Sequence, residues 1–224
     1  MAEWRALEAV EPSEVPRIRS ALAATAGAAE LLDDAEGLHL HTQELDALTD
    51  WAEAQSGLQS LIQQINGLDR AERGPWHYEL KYVHLVRLND DGSRQHWVSA
   101  WSNVIGPARP AEGTEPPPSP QLVRRLEIVR RGPALTEAVE RYAVARSWPE
   151  LYDVYEVIRT DIAGGQAVID AWVGAAQRRR FTGTAKQYRH ARPTGAPIKN
   201  PMSPAEGNDF IRDLIAHAIE HLAA

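Results

Sequence analysis

Residues 76–101 read WHYELKYVHLVRLNDDGSRQHWVSAW, and the pattern of this stretch decides the fold class. From Trp76 to Leu88 the even-numbered positions are aromatic or apolar except for one histidine, while the odd-numbered positions are mostly polar. This two-residue period predicts a β-strand. The dipeptide Asp91-Gly92 suits the backbone of a tight turn. We therefore predict a β-hairpin with Asp91 and Gly92 at the centre of its turn.

That turn predicts a register in which Val86 lies opposite Trp97. Four aromatic side chains then share one face of the ribbon, namely Tyr78, Tyr82, Trp97 and Trp101. Because two strands alone are marginally stable in water, we expect this face to pack on helices or on further strands. The alternative is an exposed aromatic platform for a peptide or a base.

Helical patterns lie on both sides of the hairpin. The alanine-rich stretch Arg17–Leu32 has high helix propensity, and a second helix is predicted from an N-cap at Thr42 to Gly67. These two helices predict an N-terminal helical hairpin. Further helices are predicted at Gln121–Arg131, Leu135–Ala145, Ser147–Ile162, Gln166–Gln177 and Ser203–Leu222, the third and fifth of which begin with a capping box.

Together these patterns predict an α+β protein that is predominantly helical, with a β-hairpin or small antiparallel sheet and a C-terminal helical bundle. Residues 106–120 contain six prolines and predict an extended linker. The expected organisation is a helical hairpin plus β-hairpin region at 1–105, the linker at 106–120 and a helical domain at 121–224.

Composition excludes several classes of protein. Hydrophobic residues make up 43% and charged residues 25% of the 224 residues, as in globular proteins. No apolar run is long enough to span a membrane, and the N-terminus does not have the pattern of a signal peptide. The chain has no cysteine. We therefore expect a cytoplasmic protein without membrane partners.

Charge is distributed unevenly along the chain. Residues 1–60 carry three basic and twelve acidic side chains, whereas residues 171–205 carry seven basic side chains and no acidic one. A net charge of −7 argues against a protein that coats nucleic acid over its whole surface. The basic segment 178–199 is therefore the part of the chain where an anion is expected to bind.

The leading hypothesis is a non-enzymatic interaction or sensing protein whose 178–199 segment engages an anionic partner. We read residues 178–204 as a loop, because they are polar and rich in Gly, Thr and Pro. Guanidinium groups and hydroxyls suit phosphate or carboxylate oxygens. The candidate ligand-binding residues are Arg178, Arg179, Arg180, Thr182, Thr184, Lys186, Tyr188, Arg189, His190, Arg192 and Lys199.

The alternative for these cations is structural. Arg178–Arg180 would then complement the end of the preceding helix and pair with the acidic N-terminal helices. We expect a protein or other anionic ligand as partner, and leave a nucleic acid and a second copy of the chain open. No cofactor is expected.

Residues 151–224 resemble the C-terminal module of a family of uncharacterised bacterial proteins. The resemblance is carried by LYDVYEVIRTDIAGG (151–165), RFTGTA (180–185), RHAR (189–192) and NPMSPAE (200–206). It implies a bacterial origin and a helical C-terminal unit, and it carries no activity. The leading hypothesis includes an accessory role in a bacterial defence or regulatory system.

An alternative function comes from a likeness to HEPN-type ribonucleases, which place an arginine a few residues before a histidine. Such a site would use His190 as acid or base, with Arg189 and Arg180 on the phosphate. Here Arg189 and His190 are adjacent, which departs from the family's spacing.

The other histidines do not form a recognisable metal motif. His39 and His41 would point the same way on a strand, but we expect them to lie in a solvated helix junction. His217 and His221 are spaced to share one helix face near a C-terminus, where imidazolium also favours the helix dipole. We therefore expect no metal site.

Overall fold

The structure is a computed structural model that describes residues 3–8, 15, 19, 29–34, 37–74, 79–98, 122–188 and 199–223. It confirms the α+β, predominantly helical class. Contacts divide the chain into two compact units, of which the first comprises Met1–Asn66 and Tyr78–Leu126 and the second Gly67–His77 and Glu127–Ala224. The second unit thus includes a short piece that precedes the hairpin. The proposed linker at 106–120 lies outside the described residues.

The first unit contains a five-stranded antiparallel sheet with the order β2-β3-β1-β4-β5. The strands are β1 (Glu3–Glu8), β2 (Glu30–Asp34), β3 (Gly37–His41), β4 (Tyr82–Leu88) and β5 (Arg94–Val98). β1 lies in the middle, with Arg5 opposite His41 on one side and opposite Val86 on the other. The predicted hairpin, β4–β5, therefore gains the further strands that a lone ribbon needs.

The expected N-terminal helical hairpin is wrong at the end of its first helix, although Arg19 within that helix is helical. Glu30–Asp34 form strand β2, in which Leu31 pairs with Leu40 of β3. Helix propensity is a weak preference, and pairing along a sheet overrides it. Most of the predicted helix Arg17–Leu32 lies outside the described residues.

The hairpin is confirmed, but its predicted register is wrong by one residue. Leu85, not Val86, lies opposite Trp97. The backbone N–H of Gly92 donates to the carbonyl of Asn89 at 2.9 Å, and Gly92 has φ +79°. The loop is thus three residues long, a turn followed by a left-handed glycine, rather than the two-residue turn assumed from Asp91-Gly92.

A one-residue shift moves side chains to the other face of a strand. Trp97 therefore shares a face with the buried Leu85 and with Trp4, whose ring centroid lies 5.2 Å away. Trp4 is fully buried, so the side of the sheet that carries Trp97 contributes to the core of this unit. Tyr78, Trp101 and the side chain of Tyr82 lie outside what the structure describes.

The helix predicted from Thr42 to Gly67 is two helices, α1 (Gln43–Asp46) and α2 (Trp51–Arg73). Thr42 is the N-cap of α1, as expected. Gly67 does not end α2. A Cβ at this position would lie 2.2 Å from the carbonyl oxygen of Val139, so Gly67 allows close packing of two helices rather than termination.

The second unit is built from helices α3 (Leu122–Arg131), α4 (Pro133–Val144), α5 (Trp148–Val157), α6 (Gln166–Val173), α7 (Ala175–Tyr188) and α8 (Pro204–Ala223). The first residues of α3 belong to the first unit. Both capping boxes are confirmed, at Ser147–Glu150 and at Ser203–Glu206. A π-helical turn at Ile158–Ile162, which the sequence did not reveal, follows α5.

The predicted helix Gln166–Gln177 is interrupted at Gly174, which has φ +81°. A new helix, α7, begins at Ala175 and runs to Tyr188. The expectation that 178–204 forms one loop is therefore wrong for its first eleven residues. Phe181 and Ala185 are fully buried and face the core at helical spacing. In the described part of the chain, no helix has both the length and the hydropathy needed to cross a membrane.

Candidate functional site on helix α7

Helix α7 carries most of the predicted site residues, and one aromatic side chain fixes its orientation. Phe181 stacks on Phe210 of α8, with ring centroids 4.4 Å apart and an interplanar angle of 18°. It also contacts Tyr155 and Trp148 of α5 at centroid distances of 5.6 and 5.9 Å. Because this side chain is fully buried, the opposite face of α7 must look away from the core.

Arg178 lies on the inner side of α7 and is neutralised by Asp170 of α6. Its Nε donates to Asp170 Oδ1 at 2.5 Å and its Nη2 to Oδ2 at 3.4 Å. This contact lowers the pKa of Asp170 and raises the pKa of Arg178. The arginine side chain is only 10% exposed. Arg178 therefore secures α7 to α6 and is removed from the predicted ligand-binding set.

Arg180 joins α7 to the start of α8. Its Nη1 lies 2.8 Å from Glu206 Oε1, and its Nε donates to the carbonyl of Asn200 at 2.9 Å. Hydrogen bonds from Arg180 and from the backbone of Ser203 lower the pKa of Glu206 to about 2. The guanidinium is thus occupied by partners in the chain, as the structural alternative predicted, although the carboxylate comes from α8 rather than from the acidic N-terminal region.

Thr184 also serves the fold rather than a ligand. It is fully buried; its hydroxyl donates to the carbonyl of Arg180 at 2.8 Å and accepts from the backbone N–H of Met202 at 2.9 Å. These bonds tie α7 to the segment before α8. Thr184 is therefore also removed from the predicted ligand-binding set.

The remaining described candidates lie at the surface. Arg179 and Lys186 are exposed, and Thr182 lies between them, half-buried, with its hydroxyl donating to the carbonyl of Arg179 at 3.4 Å. Arg179 and Lys186 are seven residues apart, which is two helical turns or about 10 Å. We call these three residues the basic face of α7. Helix α7 contains no acidic residue.

Two other predicted residues are described outside the basic face. Tyr188 is 53% exposed, and its ring stacks on Trp148 at a centroid distance of 6.1 Å. Lys199 is exposed just before α8. Arg189, His190 and Arg192 lie outside the described residues, so the ribonuclease arrangement stays a prediction.

No protein-family model matches this chain, and neither a curated protein nor a solved structure does. The resemblance of residues 151–224 to an uncharacterised bacterial family therefore stays a prediction. Function has to be argued from the geometry of the chain itself.

The histidines of β3 are not in a solvated junction. His39 is fully buried, and the side chain of His41 is 10% exposed. His41 Nδ1 lies 2.9 Å from Glu30 Oε1, and its Nε2 lies 3.2 Å from Asp46 Oδ2. Two carboxylates thus hold the imidazole. Within the described part of the chain, no group of three or more potential ligands could hold a metal ion.

A cavity of about 430 Å³ between α6, α7 and α8 is a feature that sequence reasoning missed. Its apolar lining consists of Trp172, Val173, Met202 and Phe210. Met202 and Phe210 are almost fully buried and form the floor. The volume lies in the range of small-molecule sites in proteins.

The polar wall of this cavity comes mainly from one face of α8, which contributes Glu206, Asp209, Asp213 and His217. These positions recur at three- and four-residue intervals, so they stand above one another along the helix. The ring of His217 stacks on Trp172 at 5.9 Å. The recurrence was visible in the sequence, but only the packing of three helices shows that it faces a cavity.

Proposed function

We propose that this chain is a non-enzymatic interaction or sensing protein whose basic face of α7 engages an anionic partner. The observation that carries the proposal is the exposure of Arg179 and Lys186 on one side of a helix without acidic residues. Neither of them forms an ion pair with another described residue. The two neighbouring arginines, Arg178 and Arg180, hold the helix in place.

The spacing of the two cations favours an extended partner over a small ion. The two positions lie about 10 Å apart along the helix axis, so an extended partner can contact both side chains without their converging. A protein surface or segment with several carboxylates can contact both at once, and its affinity will depend on salt. An acidic protein segment is the proposed partner, and the net charge of −7 argues only against a chain that coats nucleic acid over its whole surface.

The cell compartment and origin are part of this proposal. A chain without cysteine is compatible with a reducing cytoplasm, where we place it. An accessory role in a bacterial defence or regulatory system is part of the proposed interaction function, and the bacterial origin rests on the resemblance of residues 151–224. A second copy of the chain is one source of an acidic segment, because residues 1–60 carry twelve carboxylates.

A charge reversal tests the proposal. The double variant Arg179→Glu/Lys186→Glu removes both cations, while Arg124→Glu/Arg131→Glu reverses two exposed arginines at the same seven-residue spacing on α3. Binding of a fluorescent oligoglutamate peptide and of a 20-nucleotide RNA is measured by anisotropy at about 50 and 200 mM salt.

We expect oligoglutamate to bind the wild type and the α3 control, and to bind the α7 variant at least about tenfold more weakly. Equal affinities of the α7 variant and the wild type would refute the proposal, as would RNA binding tighter than oligoglutamate binding. RNA cleavage that disappears in His190→Ala would favour the ribonuclease alternative instead. A concentration-dependent dimer that the α7 reversal abolishes would identify the second copy as the partner.

A further inference from the structure

We infer that the cavity between α6, α7 and α8 is a binding site for a small organic cation, an ammonium group on an apolar or aromatic body. This site is distinct from the basic face of α7, and the inference is independent of the proposed function. It rests on the volume of the cavity, its apolar floor and the sign of the charges along one wall.

The floor of the cavity suits the body of such a ligand. Met202 and Phe210 are 4% and 5% exposed, and Trp172 closes one side with its partly exposed ring. Aromatic and thioether groups accept an apolar or aromatic ligand body.

The wall of the cavity determines the charge of the ligand. Three carboxylates, those of Glu206, Asp209 and Asp213, face one guanidinium, that of Arg180. Glu206 forms an ion pair with Arg180, with Oε1 2.8 Å from Nη1. Asp209 forms a second ion pair, with Oδ1 2.9 Å from Arg212 Nη1. The surplus is therefore negative, so an anionic ligand is repelled and a cationic one is attracted.

Asp213 is the carboxylate that remains to receive the ligand's ammonium group. It is exposed, lines the cavity one turn beyond Asp209, and forms no ion pair within the part of the chain that the structure describes. The apolar floor residue Phe210 lies three positions before it on the same face of α8. An amine whose body rests on Phe210 and Trp172 can thus bring its charged end to Asp213.

Three phenylalkyl probes of similar size and different charge test the inference, namely 2-phenylethylamine, 2-phenylethanol and 3-phenylpropanoate. Binding is followed by protein chemical shifts in titrations up to about 10 mM, because ligands this small bind in the millimolar range. The variant Asp213→Asn removes the receiving charge. Asp161→Asn, an exposed aspartate on the π-helical turn, is the matched control.

We expect the amine to bind with shifts at Trp172 and Met202, at least about fivefold more tightly than the alcohol, and the carboxylate not to bind. Asp213→Asn should bring the amine down to the affinity of the alcohol, while Asp161→Asn should leave it unchanged. No binding of the amine, equal affinities for amine and alcohol, or an unaltered Asp213→Asn variant would overturn the inference. The Arg179→Glu/Lys186→Glu variant should bind the amine like the wild type, which separates this result from the test of the basic face.

Discussion

Replacing Phe181 by alanine tests whether α7 is held by the core, as the structure shows, or belongs to a loop, as the composition of 178–204 suggested. The phenyl ring is fully buried and contacts three aromatic rings, those of Phe210, Tyr155 and Trp148. Loss of a buried phenyl group lowers the free energy of unfolding by about 3–5 kcal/mol. We expect about 4 kcal/mol, because helices on several sides prevent the site from collapsing.

The assay is urea unfolding followed by near-UV and far-UV circular dichroism. Phe181→Leu, which keeps most of the apolar volume, should cost about 1.5 kcal/mol, and Thr182→Ala, on the next residue, less than about 0.5 kcal/mol. If Phe181→Ala lowers the free energy of unfolding by less than about 1 kcal/mol, α7 does not pack on the core. Arg179 and Lys186 would then not be held on an outward-facing side of the helix.

Three further predictions concern single positions. Gly67→Ala should destabilise the protein by more than about 2 kcal/mol because its Cβ meets a backbone carbonyl at 2.2 Å, whereas Gly57→Ala, which meets only a leucine methyl at 3.0 Å, should be close to neutral in the same urea titration. Asn66→Ala should cost about 2–3 kcal/mol, since its amide donates to the carbonyl of Leu80 at 3.0 Å and accepts from that residue's N–H at 2.8 Å; a cost below about 0.5 kcal/mol would contradict these two bonds. Glu206 has a pKa of about 2 in the folded chain against an ordinary 4.5, so its carboxylate stabilises the fold above about pH 4.5, and this contribution is lost as pH falls towards 2. Glu206→Gln should therefore be less stable than the wild type at pH 7 and equally stable at pH 2 in thermal unfolding curves, and a difference independent of pH would contradict the Arg180 contact.

Local signals in the sequence predicted local structure well. The capping boxes at Ser147 and Ser203 and the N-cap at Thr42 are confirmed, because each depends only on residues within one turn. The hairpin was also legible from its two-residue period. Its register was not, because Asp91-Gly92 fits a two-residue turn as well as the last part of a three-residue one, and the difference shifts every pair by one residue.

Non-local structure escaped the sequence for physical reasons. Strand β2 forms because Leu31 pairs with Leu40 of β3. The pattern of the alanine-rich stretch that contains Leu31 does not predict this pairing. Helix α7 was missed because two members of its inner stripe, Arg178 and Thr184, are polar. They are buried only because Asp170 and the backbone of Met202 satisfy them, and both partners lie on other segments.

The candidate site could be predicted only in part. The cluster of cations is evident from the sequence. Which of them form ion pairs depends on carboxylates of α6 and α8, and the sequence alone does not show that these helices contact α7. Arg180 forms an ion pair with Glu206, whereas the side chain of the preceding residue, Arg179, is exposed. The cavity at Trp172 could not be foreseen at all, since it exists only where α6, α7 and α8 meet.

The binding of an acidic segment to the basic face of α7 is tested most directly by the acetylation rate of each lysine with and without saturating oligoglutamate. The chain has only three lysines, of which Lys186 belongs to the basic face, Lys199 is exposed just before α8, and Lys81 lies 3.6 Å from Glu79 in the first unit. We predict that the peptide slows the acetylation of Lys186 at least about fivefold and does not change the acetylation rate of Lys81. Equal labelling of Lys186 in the presence and absence of the bound peptide would contradict it.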